Sequence, residues 1–144
     1  MIWFKPYRVE DLMPAGGKLT LARHLDIEFI ELGPDYLRAR MPVDDRTRQP
    51  YGVLHGGASV ALAETLASVG ASLCIDPARF RVVGQEINAN HIRSATEGHV
   101  VGTARPLHIG RRSHVWEIRI VDAKDRLVCV SRMTAAVVES SASA

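Results

Sequence analysis

The chain has 144 residues, 47% of them apolar and 24% charged, with a formal net charge of +2. That bounds it to one globular domain with a real core and leaves no basic field of the size that holds nucleic acid. The best candidate for a membrane span is interrupted by Glu64 and the first residues carry no long apolar run, so neither a span nor a signal peptide is expected and the chain reads as cytoplasmic.

Helical character is read at 9–13 and again at 19–24, broken by Pro14-Ala15-Gly16-Gly17. Residues 26–32 then alternate, with Ile27, Phe29 and either Ile30 or Leu32 apolar. Gly33-Pro34-Asp35 turns the chain, and 36–41 alternates again with Leu37, Ala39 and Met41 on one side. That pattern is a β-hairpin. A polar loop over 44–54 runs into His55-Gly56-Gly57-Ala58, and 59–75 reads as one long helix of small residues, apolar on most faces and so buried nearly all round. Asp76-Pro77 stops it.

Strands are expected at 82–93, 99–107, 113–121 and 127–138, with turns at 96–98, 108–111 and 122–125, forming an antiparallel four-strand meander. The domain then spans 1–138, and Ser-Ser-Ala-Ser-Ala beyond Glu139 reads as a disordered tail. One apolar helix among strands long enough to curl predicts an α+β domain, an antiparallel sheet wrapped around a central helix. Its open edges favour pairing of two subunits. Cys74 and Cys129 sit in apolar segments without metal-ligand spacing and read as buried free thiols.

Glu64 is the only charge on the predicted helix, and Ser68 and Ser72 follow it at i+4 and i+8 as a narrow polar stripe. Burying a carboxylate is costly unless it is paired, neutralised or used. The helix alone leaves two readings open: a solvent-facing or salt-bridged structural acid, and a catalytic one. The segment before it favours the second. Backbone N–H groups at a helix start lack internal partners and sit at the positive end of the dipole, and glycine lets a substrate oxygen come close. A thioester carbonyl at Gly56 would have its oxyanion stabilised there. Gly56 and Glu64 are eight residues apart, about 12 Å along a helix, so one carbonyl cannot meet both on one straight helix. A site using both is shared between subunits, on a two-fold axis.

Several runs carry a family likeness: Met41-Pro42-Val43-Asp44, Arg46 to Pro50, Leu54 to Val60, Ala63-Glu64, and Glu86 to Ala95. Together they resemble the hotdog-fold thioesterases of the 4-hydroxybenzoyl-CoA thioesterase (Arthrobacter) type, nearest to the branch with 1,4-dihydroxy-2-naphthoyl-CoA and enterobactin-proofreading thioesterases. The likeness implies dimers assembled into a homotetramer, with composite sites and no cofactor beyond the CoA of the substrate. It implies Glu64 as nucleophile or general base and the Gly56 N–H as the carbonyl's donor, assisted by Gln49 and His55. Ser68 would position the carboxylate or a water. For His55, a role limited to capping or packing stays open, and none of the six histidines shows a metal-ligand pattern.

The same likeness places Gly84, His91-Ile92-Arg93-Ser94 and His108-Ile109-Gly110-Arg111-Arg112-Ser113 along a CoA groove. Arginine suits phosphate because its planar fork bonds two oxygens; the plain alternative is a solvated strand end and turn. Tyr51, Val60, Leu62 and Val69 are the candidates for the acyl pocket, with core packing as the rival role for the aliphatic three. Small residues over 69–72 leave the acyl group open. The expected activity is hydrolysis of an acyl- or aroyl-CoA thioester. The rivals are a carrier-protein-editing thioesterase, a non-catalytic acyl-CoA-binding module, and an enoyl-CoA hydratase, which would want an aspartate beside His55.

Overall fold

Alternation builds the sheet and small residues build the helix that it holds. The computed structural model describes residues 1–12 and 19–140. Strand β1 (Glu28–Leu32) and strand β2 (Leu37–Pro42) form the hairpin. A register shift between Phe29 and Glu31 turns Ile30 outward, which settles the sequence ambiguity in favour of Leu32. On β2, Leu37, Ala39 and Met41 are buried in alternation. A 3-10 turn at Val9–Leu12 and a short helix α1 (Leu21–His24) precede the hairpin, with the Thr20 hydroxyl capping α1. Residues 13–18, where a break was expected, lie outside the described residues.

The long helix α2 (Gly56–Leu73) starts three residues earlier than the periodicity suggested, because His55 caps it and both glycines sit in its first turn. Leu62, Ala63, Leu66, Ala67 and Ala71 are fully buried against the sheet. The opposite face is not: Gly57, Glu64 and Ser72 are exposed. The expectation of a helix buried nearly all round is therefore corrected. Small residues let the sheet approach one side closely, and one wrapped sheet covers no more than that side.

Strands β3 (Phe80–His91), β4 (His99–Ile109), β5 (Ser113–Val121) and β6 (Leu127–Glu139) complete a six-stranded antiparallel sheet in the order β1-β2-β4-β5-β6-β3. The expected four-strand meander does not form. Strands β4, β5 and β6 follow one another, but β3 pairs with β6 at the far edge. The connection over 92–98 crosses the end of the sheet instead, tied by Leu54 N–H to Ala95 O (2.8 Å) and the Arg48 guanidinium to Thr96 O (2.9 Å). Both sides of β4 are already taken, by β2 and β5.

Trp116 on β5 is fully buried and stacks on Trp3 at 6.3 Å between ring centroids. The Trp3 indole N–H donates to Gly33 O at 2.8 Å, which pins the first residues over that end of the core. Cys129 is buried and Cys74 half-buried, both as free thiols; burial pushes Cys74 up to about 12. Glu139 is the last residue of β6, and residues 141–144 of the expected tail lie outside the described residues.

Candidate functional site

The start of α2 is built so that one amide is left over. His55 stands at the N-cap in an extended conformation (φ −67°, ψ 130°), and its Nδ1 accepts the Gly57 N–H at 2.8 Å. The His55 carbonyl accepts the Ala58 and Ser59 N–H groups at 3.0 and 3.2 Å. Of the four first-turn donors, Gly56 N–H alone has no acceptor among the described residues. With Nδ1 accepting, the proton of the neutral imidazole sits on Nε2, which leaves His55 a donor.

Gly56 opens on a cleft of about 330 Å³ that it shares with Gln49, Ser59 and the run His91-Ile92-Arg93-Ser94. The Gln49 Oε1 accepts the Tyr51 N–H, so its NH₂ group is the part free to donate. A side chain at Gly56 would stand 2.8 Å from His91 Nε2; only a glycine lets the imidazole lie on the helix start. Six of the residues expected at the site, five of them from the family likeness, thus meet in one cleft.

Glu64 stands two turns further on and is exposed in the protomer. The dry surroundings expected for it are absent here, because the uncovered face of α2 carries it. Among the described residues it makes no salt bridge, so of the two structural readings the ion pair is not met and the solvent-facing acid is what the single protomer shows. Its carboxylate lies against the edge strand: a Cβ built on Gly84 would be 3.1 Å from Glu64 Oε1. Ser68 does not touch it; the Ser68 hydroxyl reaches Met133 Sδ at 3.7 Å.

A bulge organises β3. The register shifts between Gly84 and Glu86, which changes the side-chain phase. Val82 and Gly84 before it, and Ile87, Ala89 and His91 after it, therefore all face α2. Gly84 meets Glu64 at one end of this row and His91 meets Gly56 at the other.

A second, mostly apolar cleft of about 250 Å³ lies on the Glu64 face of α2, between Leu21 and Leu25 near α1 and His55, Gly57, Ala58 and Ala61. Ala61 is one turn from Glu64. The sequence reading missed this cleft, because nothing local links Leu21 to Ala61. Arg46 and Arg48 border it, but Asp44 (2.6 Å) and Asp45 (3.4 Å) pair with them. Of the acyl-pocket candidates, Leu62 is fully buried in the core, which selects the packing role left open for it, and Tyr51 is 91% exposed.

His108 and Ile109 end β4, two residues beyond its expected end, Gly110, Arg111 and Arg112 form the β4–β5 turn and Ser113 opens β5, all at the opposite end of the sheet from Arg93. The turn lies beside Ala136 of β6 and so beside Val83, whereas His91 pairs with Cys129. One protomer does not bring the two basic segments together. Arg111 and Arg112 line a cleft of about 580 Å³ with Arg79, Phe80, Val137 and Glu139. Among the described residues, no cluster of three or more His, Cys, Asp or Glu could hold a metal ion, and no helix is long and apolar enough to cross a membrane.

Against known proteins, residues 51–129 match the thioesterase superfamily model. The 1,4-dihydroxy-2-naphthoyl-CoA hydrolase of Escherichia coli (strain K12) is 53% identical over 137 residues, 95% of this chain and 99% of that protein. The proofreading thioesterase EntH of Cronobacter turicensis is 49% identical over 137 residues, 95% of this chain and 98% of its own. Among solved structures, a mutant of thioesterase PA1618 from Pseudomonas aeruginosa superposes with a TM-score of 0.93 at 42% identity, covering 97% of this chain and 100% of that one.

Proposed function

The chain belongs to the thioesterase superfamily, and from that premise we propose that it hydrolyses an acyl- or aroyl-CoA thioester, with Glu64 as the reacting carboxylate and the Gly56 N–H as the oxyanion donor. The observation that carries this is the pairing on α2 of one free first-turn amide with one unpaired carboxylate two turns later. The likeness to a hydrolase of a naphthoyl-CoA supports an aromatic acyl group.

The two groups act on one carbonyl when two protomers pair. Strand β3 is an open edge of twelve residues, which a second copy can extend antiparallel. With Gly84 opposite the partner's His91, the Glu64 carboxylate of one protomer comes to the Gly56 N–H of the other. Because the bulge adds one residue between Gly84 and Glu86, the dyad then passes at Asn88. The partner also covers Glu64, and a desolvated carboxylate is the stronger nucleophile and base. The apolar cleft at Leu21, Leu25 and Ala61 takes the acyl group.

In the nucleophilic route, Glu64 adds to the carbonyl carbon, the C–S bond breaks, CoA leaves as thiolate, and water opens the mixed anhydride to restore Glu64. In the general-base route, Glu64 takes a proton from water, hydroxide adds, and the proton ends on the departing thiolate. The Gly56 N–H stabilises the same oxyanion in both. The family likeness favours the first.

A second reading keeps this chemistry and changes the donor to a carrier-protein thioester; the similarity to a proofreading thioesterase favours it. Thiol release from benzoyl-, hydroxynaphthoyl- and medium-chain acyl-CoA, measured for wild type and Glu64→Gln, tests the shared mechanism. A fall in kcat of about 10²–10⁴-fold is expected. Equal turnover by the variant would remove Glu64 from the reaction.

A further inference from the structure

The apolar cleft beside Glu64 is walled on one side by α1, an element with no part in the chemistry above. We infer that α1, through Leu21 and Leu25, is the selectivity wall of the acyl site: it admits a compact, ring-sized acyl group, stops a long chain, and serves the site to which its own protomer gives Glu64. This rests on the thioesterase reading above and deepens it by naming the residues that set the acyl class.

The helix sets the depth. From Glu64 the cleft runs back past Ala61 to Gly57, seven residues away, or about 10 Å along the axis. Its floor is Gly57, Ala58 and Ala61, none with more than one side-chain carbon. Thr47 O accepts the His55 N–H at 2.8 Å, which lays the 46–48 loop across the helix start and closes the far end. At about 250 Å³, the cleft falls below the range of about 300–1,000 Å³ for sites that enclose a whole drug-sized ligand. It holds a ring, not a long chain. The polar groups around it are already engaged. Arg46 pairs with Asp44 (2.6 Å) and Asp26 (3.6 Å), and Arg48 with Asp45 (3.4 Å) and Thr96 O (2.9 Å). The Thr47 hydroxyl donates to Pro42 O at 2.7 Å. An acidic acyl tail would meet no cation without its own acid, so the cleft suits an uncharged group.

A wall selects only if it holds its place. Four residues of helix are not stable alone, and α1 is fixed by its neighbours. Thr20 caps its start, and Ala22 and Leu25 pack on the core. The Ile27 N–H donates to Ala22 O at 2.9 Å. Asp26, left-handed at φ 54°, ends the helix and gives its carboxylate to Arg46 on the facing loop. Leu21 is left 64% exposed, so its side chain can be changed without disturbing the core.

Values of kcat/KM should be compared for benzoyl-, 2-naphthoyl- and decanoyl-CoA with wild type, Leu21→Ala and Leu21→Trp. Leu19→Ala is the control, 73% exposed and outside the cleft. Leu21→Ala should raise decanoyl- relative to benzoyl-CoA by about 10- to 200-fold, and Leu21→Trp should lower naphthoyl- relative to benzoyl-CoA by a similar factor. Unchanged ratios in both Leu21 variants, or an equal shift in Leu19→Ala, overturn the proposal. Hybrid dimers assign the wall to a protomer. When Gly56→Pro and Glu64→Gln chains are mixed, the intact site takes its Glu64 from the proline chain. Leu21→Ala added to that chain should shift the hybrid's ratio, and added to the other chain should leave it. A shift that follows the Glu64→Gln chain would put the acyl group on the partner and overturn the assignment. Binding of the neutral ketone 2-acetonaphthone, followed by calorimetry, should weaken at least about 10-fold in Leu21→Trp; equal affinity counts against the wall. If no thioester is turned over at all, the thioesterase reading fails while this titration still decides the wall.

Discussion

Replacing Gly56 by proline removes the amide hydrogen proposed as the oxyanion donor, at a position whose backbone accepts the ring. Gly56 is the first residue of α2, the helix position where proline is best tolerated. His55 before it, at φ −67° and ψ 130°, already has the backbone that a residue preceding proline prefers. Any Cβ at 56 meets His91 Nε2 at 2.8 Å, so Gly56→Ala is the control: it imposes the same crowding and keeps the N–H. The proline variant should lose about 10²–10³-fold in kcat relative to the alanine variant, or about 2.7–4 kcal/mol of transition-state stabilisation, with helix content unchanged. Equal losses in both would mean that the amide is not the oxyanion donor. Mixing the proline variant with Glu64→Gln then tests the shared site. In an equal mixture about half the dimers are hybrids, and one of the two sites in each hybrid is intact, so activity should recover to about one quarter of wild type. If Gly56 and Glu64 of one protomer act together, no hybrid contains an intact site and the mixture stays as inactive as its parents.

Two further outcomes concern the core. Gly70→Ala places a methyl 2.8 Å from Trp116 Cη2 and 2.9 Å from Leu37 Cδ2, both fully buried; urea denaturation should show a loss of about 1–3 kcal/mol, and an unchanged midpoint would mean that the helix and sheet are not so closely packed there. His114 is buried with Nδ1 unpartnered, and burial, aided by His108, holds its pKa below the ordinary value. The unfolded chain takes up that proton near pH ~6.5 while the folded one does not, so His114 costs stability progressively as pH falls from there towards its folded pKa. His114→Phe should flatten the fall in Tm between pH 7 and 5; an identical pH profile would show that the histidine is solvated in the fold.

The candidate site was legible partly from local signals and partly from the family likeness. A glycine pair at a helix start and one charge on an otherwise uncharged helix declare themselves within ten residues, and Gln49, Gly56, His91 and Arg93 do share a cleft. What the sequence withheld is non-local. Nothing in 82–93 distinguishes pairing with β4 from pairing with β6, and only the occupied sides of β4 send β3 to the edge. The bulge after Gly84 reverses the side-chain phase, so a simple alternation misassigns either Gly84 or His91. The cleft between Leu21 and Ala61 depends on where α1 docks, far away in sequence.

In the proposed mechanism, the exposure of Glu64 ties assembly to catalysis. A carboxylate buried in the protomer would cost several kcal/mol with no cation to offset it, and folding avoids that cost by leaving Glu64 on the uncovered face of α2. In the proposed dimer, desolvation falls on association instead, at the point where the partner's free amide is also supplied. Strand β3 sets both: Gly84 makes room for the carboxylate and His91 rests on Gly56, while the same backbone edge pairs with its copy. A substitution that shifts the register by one residue would turn this row of side chains to the opposite face. Protomers altered in this way would turn Val82, Ile87 and Ala89 away from the core and, in the proposed dimer, would hold Glu64 away from the carbonyl it is to meet.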